Sequence, residues 1–401
     1  NSLPNFTEIS RDMVDHILNE SAKFTSEVLA PLNQSGDQET SVLRDGEVTT
    51  PKGFKEAYIS FIEGGWNGTP FAPEHGGMGL PWTLTTSLQE MWQSANLAWA
   101  LCPLLTIGAI EAVIAHAKPE LSKAFLPKLV SGEWTGTMNL TEPQAGTDMS
   151  LLKTRATRDG ENYRIKGQKI YITYGEQDLT ENIVHLVLAR LPDAPIGVKG
   201  ISLFLVPKFL VNEDGSLGKR NDVFAVNIEH KLGIHASPTC VMAYGDNEGA
   251  IGYLVGKEND GLRCMFTMMN NARLNVGLQG VAIGERAYQQ AVEFAKSRIQ
   301  SAAVSGNTKS TTIIKHPDVR RMLMMMRSQI EAMRAIAYYT NSALDISRNH
   351  TEEKVRDINN ARMDLLTPVV KAWCTDLGVE IASMGLQVHG GMGFIEETGA
   401  A

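Results

Sequence analysis

Cysteine is scarce and scattered: Cys102, Cys240, Cys264 and Cys374 form no CxxC pair and no finger-like spacing. That excludes a disulfide-stapled scaffold and a thiolate zinc centre, and leaves four buried, reduced thiols as the expectation. Positive charge is in deficit as well. A formal net charge of −8 argues against general nucleic-acid binding, because neutralising phosphates needs a basic surface. A local pocket of Arg and Lys for a small anionic ligand stays open. No uninterrupted apolar run reaches the length of about 18 that a membrane span needs, so no span is expected. The start, Asn1-Ser2-Leu3-Pro4, has neither an initiator Met nor a signal-peptide pattern. The finish, Thr398-Gly399-Ala400-Ala401, shows no evident terminator, and both ends are expected to be cut from a longer, cytoplasmic protein. Familiar sites are missing too. After Gly391-Met392-Gly393 the residue needed to complete GxGxxG is Glu396, and GxxxxGK[ST], HExxH and GxSxG do not occur. His230 and His235 have no third ligand at sensible spacing, so no metal is expected.

What is present suits a globular enzyme with more than one core: 401 residues, 43% hydrophobic and 20% charged. Ile9, Met13, Val14, Ile17, Leu18, Phe24 and Val28 recur at helical spacing until Pro31. Helical pattern resumes over Leu88 to Ala117 and Glu120 to Val130. Short runs rich in β-branched and aromatic residues then predict strands over Thr137 to Leu140, Tyr163 to Ile172, Ile183 to Leu188 and Ile201 to Val206. Asp159-Gly160 is a hairpin signal, since both residues tolerate positive φ. No long helices alternate with these strands, which argues against a doubly wound sheet. Long helices return over Leu262 to Arg298, Pro317 to Arg348 and Glu352 to Met384. Met322, Met324, Met325 and Met326 are expected to fill core gaps, and Ser301 to Thr312, small and polar, to form an exposed loop. The fold class is therefore mainly α with a central β domain.

Two stretches carry most of the chemical information. In Thr141-Glu142-Pro143-Gln144-Ala145-Gly146-Thr147-Asp148 a Thr precedes a tight Pro/Gly turn, which offers a hydroxyl and backbone N–H groups to a flavin edge or a phosphate. Far downstream, Gln387-Val388-His389-Gly390-Gly391 places a glycine pair where backbone can approach a ligand closely. Either alone is as readily a structural turn.

Together with further segments in fixed order, they resemble the acyl-CoA dehydrogenase family. Leu126 to Glu133 leads into Gly136 to Asp148; Lys169-Ile170-Tyr171-Ile172-Thr173, Lys231 to Thr239, Asn271-Ala272-Arg273-Leu274 and Arg298 follow; Gln387 to Gly391 closes the series. The likeness runs over essentially all 401 residues. It implies an N-terminal helical domain (1–134), a β-barrel-like middle domain (135–255) and a C-terminal helical bundle (256–401). It implies FAD held by Met138, Leu140, Thr141, Gly146, Thr147, Tyr171, Thr173 and Arg298, with Gln387, Gly390 and Gly391 meeting the adenosine side across a subunit interface. Thr147, Asn270 and Arg273 would contact an acyl-CoA substrate. A homodimer or homotetramer and an electron-transferring flavoprotein partner are implied as well. Tyr171 stands where a Trp is common in the family, and Asn270 where an Asp is frequent. The runs Tyr174 to Leu186 and Ile313 to Arg321 resemble the long bacterial members, the group that includes 3-methylmercaptopropionyl-CoA dehydrogenase.

The implied reaction is α,β-dehydrogenation of the thioester to a trans-2-enoyl-CoA. A polarised carbonyl stabilises the developing enolate, a desolvated Glu removes the α-proton, and the β-hydride passes to flavin N5. No catalytic residue is assigned within the chain. The family's Glu falls just beyond Ala401, and the alternative position, just before Arg273, is Ala272. Glu396 and Glu397 read as solvated helix-start carboxylates. Two other readings are an acyl-CoA oxidase on the same fold and a base-less flavin-binding or assembly protein.

Overall fold

The computed structural model describes residues 3–304 and 309–400. Helices α1 (Arg11–Phe24), α2 (Pro31–Glu39), α3 (Phe54–Glu63), α4 (Trp82–Ala95), α5 (Leu97–His116) and α6 (Pro119–Ser131) come first, with a hairpin β1 (Val42–Arg44) and β2 (Glu47–Thr49) among them. Strands follow: β3 (Trp134–Asn139), β4 (Arg155–Asp159), β5 (Asn162–Thr173), β6 (Asn182–Arg190), β7 (Ile201–Pro207), β8 (Phe209–Val211), β9 (Leu217–Arg220), β10 (Val223–Ile228), β11 (Thr239–Tyr244) and β12 (Ala250–Val255). The chain continues through α7 (Gly261–Ser297), the ribbon β13 (Ile299–Ala302) and β14 (Ser310–Thr312), α8 (Pro317–Asn349) and α9 (Glu353–His389).

By contact the chain divides into two units. One, residues 31–80 and 98–272, is the β-rich unit. Its main sheet runs β10-β11-β5-β12-β7-β6-β3, with β4 against β5 and β6. The pairs are antiparallel except β3–β6 and the single β4–β6 contact, which are parallel. The Asp159-Gly160 signal holds: Asp159 pairs with Asn162 across a turn in which Gly160 has φ 61. Ile165, Phe204 and Met242 lie at the heart of its core, fully buried, each contributing about 1.5–3 kcal/mol through burial. A line of polar groups also runs inside it. The Tyr244 hydroxyl donates to Asn139 Oδ1 (2.8 Å), Asn139 Nδ2 donates to Thr137 Oγ1 (2.8 Å), and Thr137 Oγ1 meets His185 Nδ1 at 2.7 Å. Helix α5 is apolar all round and long enough to cross a membrane by length and composition, which corrects the expectation that no stretch qualifies. The expectation counted uninterrupted apolar residues, whereas Thr106, Gly108 and Glu111 are spread through a helix that stays apolar on average. Fourteen of its residues are buried. Gly136 lets β3 press against it, since a Cβ there would sit 2.4 Å from that of Ala109.

The helical unit comprises residues 1–30, 81–97 and 273–401. Leu278, Val281, Met326, Ile330, Met333, Val370, Cys374 and Ile381 form its core. Gly280 is required for close helix approach, because a Cβ there would lie 2.0 Å from the Cys374 carbonyl oxygen. Asp345 caps the start of α4, accepting from Trp82 N (2.8 Å), Thr83 N (2.9 Å) and Thr83 Oγ1 (2.7 Å).

Several expectations shift. Pro31 does not end a helix; a π-helical turn, Thr25–Leu29, intervenes and Pro31 opens α2, as its missing N–H allows. The helix expected from Leu88 to Ala117 breaks at Asn96 (φ −151, ψ 88), a residue whose short amide competes for backbone partners. Met322 and Met326 are buried, one turn apart, but Met324 and Met325 lie on the opposite, exposed face. The expected loop from Ser301 to Thr312 is flanked by the paired strands β13 and β14, and residues 305–308 within it lie outside the described residues. All four cysteines are buried with free thiols.

Candidate active site

The β-rich unit brings Leu140, Thr141, Tyr171 and Thr173 together. As β3 ends, Glu142-Pro143-Gln144-Ala145 closes a tight turn: Glu142 and Ala145 exchange both backbone hydrogen bonds at 3.0 Å. The N–H groups of Glu142 and Ala145 are thereby satisfied and not offered to a ligand. Those of Gly146 and Thr147 have no partner among the described residues, and both residues are exposed. A Cβ at Gly146 would meet nothing within 4 Å. Asp148 turns away from this role and caps the short helix that follows, accepting from Ser150 N at 2.9 Å.

Strand β5 docks on this turn. Ile170 N donates to the Thr141 carbonyl at 2.9 Å. Against β11, β5 carries a bulge: Met242 faces Lys169 and Cys240 faces Ile172, so Ile170 and Tyr171 together oppose Val241. Tyr171 takes φ 61, a backbone region that costs a residue with a Cβ roughly 1–2 kcal/mol. The bulge re-aims the side chain, and the Tyr171 ring stands 60% exposed beside the turn. Thr141 and Thr173 are half-buried, as is Met138, while Leu140 is buried. A flat, mainly apolar ring with a polar edge fits this arrangement: an aromatic face, hydroxyls and two open amides.

Beneath the turn lies a dry ion pair that the motif reading did not single out. Lys169 Nζ donates to Glu142 Oε1 (2.8 Å) and to the Leu140 carbonyl (2.9 Å), with Lys169 fully buried and Glu142 nearly so. Burial pulls the Lys169 ammonium down to about 8, against the opposing charge of Glu142. Burial pushes Glu142 up, yet Lys169 and the other donors outweigh it and hold the carboxyl below its ordinary range. The signal was present in sequence, since Lys169 sits at an inward position of β5 in register with Ile165.

The remaining site candidates are distributed between the units. Asn270 lies on the first turns of α7 in the β-rich unit, half-buried. There α7 packs on α5, with Met268 3.1 Å and Asn271 3.7 Å from a Cβ placed at Gly108. Arg273, half-buried, belongs to the helical unit, as do Arg298, Gln387, Gly390 and Gly391. In that unit the Phe294 ring, one turn before Arg298, packs on His389 with centroids 4.6 Å apart. The end of α7 and the end of α9 therefore meet, with Arg298 and Gln387 both exposed. Gln387 to His389 form the last turn of α9, not a loop, and Gly390 terminates it at φ 60. A helix C-terminus carries partial negative charge, so this end suits a neutral ligand edge better than a phosphate. His235 bonds within its own segment and to Asp37, and His230 is not joined to it. Glu396 and Glu397 begin a short exposed turn.

Comparison with known proteins identifies one family over most of the chain. Three family models match: acyl-CoA dehydrogenase N-terminal domain over residues 14–133, middle domain over 137–246 and C-terminal domain over 259–401. A 3-methylmercaptopropionyl-CoA dehydrogenase of Ruegeria pomeroyi is 50% identical over 100% of this chain and 68% of its own length. A butyryl-CoA dehydrogenase of Syntrophomonas wolfei is 38% identical over 96% of this chain and 65% of its own. The chain thus spans about two thirds of the length of these curated relatives. Among solved structures, butyryl-CoA dehydrogenase from Megasphaera elsdenii superposes with a TM-score of 0.76, covering 97% of this chain and 90% of that one at 23% identity. That likeness is one of fold.

Proposed function

The chain belongs to the acyl-CoA dehydrogenase family, and from that premise we propose that the protein it is part of oxidises an acyl-CoA thioester to its trans-2-enoyl-CoA. The observation that carries the reading is the Thr141 turn hydrogen-bonded to the Tyr171 bulge, a cradle for a planar ring in the matched middle domain. Bound FAD supplies the hydride acceptor. Thr141 holds the polar edge of the ring with its hydroxyl, and Tyr171 and Thr173 cover it; a hydrogen bond at such an edge tunes reactivity. Met138 and Leu140 line the cradle. Gly146 and Thr147 offer their open amides to phosphate oxygens, with Thr147 also facing the thioester substrate. Asn270 and Arg273 orient the acyl-CoA. Arg298 contributes a cation to the anionic half of FAD, and Gln387, Gly390 and Gly391 meet the adenosine of a neighbouring subunit's cofactor, which requires a homo-oligomer. Ala272 cannot accept a proton, and no residue among 1–401 is assigned as the base. The domain division proposed with it is 1–134, 135–255 and 256–401. An electron-transferring flavoprotein as acceptor and a cytoplasmic setting complete the proposal.

The identity to the Ruegeria pomeroyi relative favours a short, sulfur-containing acyl group. The test is anaerobic titration of the full-length protein with a panel of acyl-CoAs, followed by flavin absorbance and then by turnover with a dye acceptor. Bleaching by 3-methylmercaptopropionyl-CoA and short acyl-CoAs is the expected result. A strong preference for long chains contradicts the substrate, and absence of bound flavin contradicts the reaction.

A further inference from the structure

The turn that carries Thr141 and the bulge that carries Tyr171 are joined below the surface by more than the Ile170–Thr141 hydrogen bond. The Glu142 carboxylate collects five donors. Oε1 accepts from Lys169 Nζ (2.8 Å), Thr154 N (3.0 Å) and Thr154 Oγ1 (2.6 Å); Oε2 accepts from Lys153 N (2.7 Å) and Gln144 Nε2 (2.5 Å). Lys169 spends a second donor on the Leu140 carbonyl at 2.9 Å. One charge pair therefore ties three stretches of backbone: the exit of β3, the loop entering β4, and β5 immediately before its bulge.

Position matters here. Lys169 is the last residue of β5 in regular register with β11 before the irregularity, opposite Met242. Tyr171, two residues on, sits at φ 61 with most of its ring in solvent. The left-handed region is disfavoured for any residue with a Cβ, and an exposed ring brings little packing to offset that. The strand would gain by sliding back into register, which would turn Tyr171 to the other face of the sheet. Whatever prevents the slip must grip β5 next to the bulge. Lys169 does so, held by a carboxylate that is itself fixed from four other directions.

We propose that the Glu142–Lys169 pair is the positioning element of the flavin cradle, locking the Tyr171 bulge in register with the Thr141 turn. The proposal rests on the FAD reading above. Neither residue is assigned contact with ligand; both act through Thr141 and Tyr171.

The test uses the full-length holoenzyme with Lys169→Met and with the pair Glu142→Gln/Lys169→Met, in which the buried charge is gone and the single amide oxygen keeps an acceptor for Thr154. In the folded double variant FAD release by ultrafiltration should correspond to a dissociation constant roughly tenfold higher. Flavin fluorescence should rise as Tyr171 leaves the ring, and amides of residues 140–145 and 169–173 should exchange faster. Lys169→Arg, which keeps the charge, should restore quenching. A folded double variant with FAD affinity within about twofold of wild type and unchanged fluorescence and exchange overturns the proposal. If neither variant folds, exchange in the wild-type holoenzyme decides. Amides of Lys153 and Thr154, which end on Glu142, should then outlast that of Ser150, which ends on the exposed Asp148 in the same loop, and equal rates overturn the clamp. A wild-type protein that neither carries nor takes up FAD refutes the cofactor reading instead. Insensitive variants of a protein that holds FAD refute only the clamp.

Discussion

In the β-rich unit one lysine, Lys169, meets one glutamate, Glu142, with both side chains dry. In the helical unit Arg334 is shared between Glu90 and Glu285, each at 2.7 Å, with 24% of the Arg334 side chain in solvent. Tyr338 also donates to Glu90 (2.8 Å), and Arg327 lies 3.6 Å from Glu285. The two networks use the same chemistry on different material. The helical network joins α4, α7 and α8, of which α7 and α8 already share a core of Leu278, Val281, Ile330 and Met333. The β network joins a turn, a loop and a bulged strand end that bury single apolar residues, Leu140, Ala145, Leu152 and Ile172, in place of a continuous helix face. Where packing sets position, an ion pair adds a modest increment; where packing is thin and the backbone strained, it sets position itself.

The largest expected effect comes from breaking each network on one side. Lys169→Met strands a buried carboxylate and should cost about 3–5 kcal/mol. Arg334→Met leaves two partly hydrated carboxylates, each with another donor nearby, and should cost about 1–3 kcal/mol. Denaturant unfolding of the full-length protein measures both. FAD affinity separates them further: it should fall for Lys169→Met and stay unchanged for Arg334→Met. Equal losses of FAD from both variants would erase the distinction between a positioning and a stabilising network.

A smaller effect is expected at Asp345, another buried carboxylate of the helical unit. It accepts three hydrogen bonds at the start of α4, and burial raises its pKa despite them. Asp345→Ala should cost about 1–2 kcal/mol, the loss of a helix cap, without altering the flavin spectrum. Asp345→Asn keeps an acceptor and relieves a buried charge, so it should recover most of that loss in the same unfolding measurement. A spectral change in either variant would show that the helical unit also tunes the cradle.

The same contrast governs what the sequence could reveal. The long helices α7, α8 and α9 and the strands β3, β5, β6 and β7 were legible because periodicity and β-branched runs report burial directly. The turn at Thr141 and the helix end at Gln387 were legible as motifs. The register of β5 was not: a one-residue bulge at Ile170–Tyr171 leaves no mark in composition, and it decides which way Tyr171 faces. Lys169 is legible as an inward position of β5, but its partner Glu142, 27 residues away, is not until the sheet brings them together. Strands β10, β11 and β12 escaped for a related reason. Their runs, such as Thr239 to Tyr244, are short, and gain strand character from their neighbours: β11 and β12 pair with β5, and β10 pairs with β11. Asn96 broke an otherwise continuous helical pattern, which periodicity averaged over.

The finest test of a dry β interior against a wetter helical one is pH. His185 is fully buried, its Nδ1 on Thr137, and burial pulls its pKa down to about 3, with Lys208 and Arg220 adding to the shift. In the unfolded chain the same imidazole titrates near the ordinary value of about 6.5. Between these values the unfolded state holds the extra proton, so stability rises with pH across that window. The contribution is complete above about 6.5 and is lost as pH falls toward 3, amounting to about 2 kcal/mol between pH 7 and 5. His185→Gln keeps a polar contact for Thr137 but cannot titrate. Its stability should be lower at pH 7 and flatter between pH 7 and 5, so that wild type and variant converge in acid. Parallel pH profiles would mean that His185 takes up its proton inside the fold, and that the β interior is no drier than the helical network it is contrasted with.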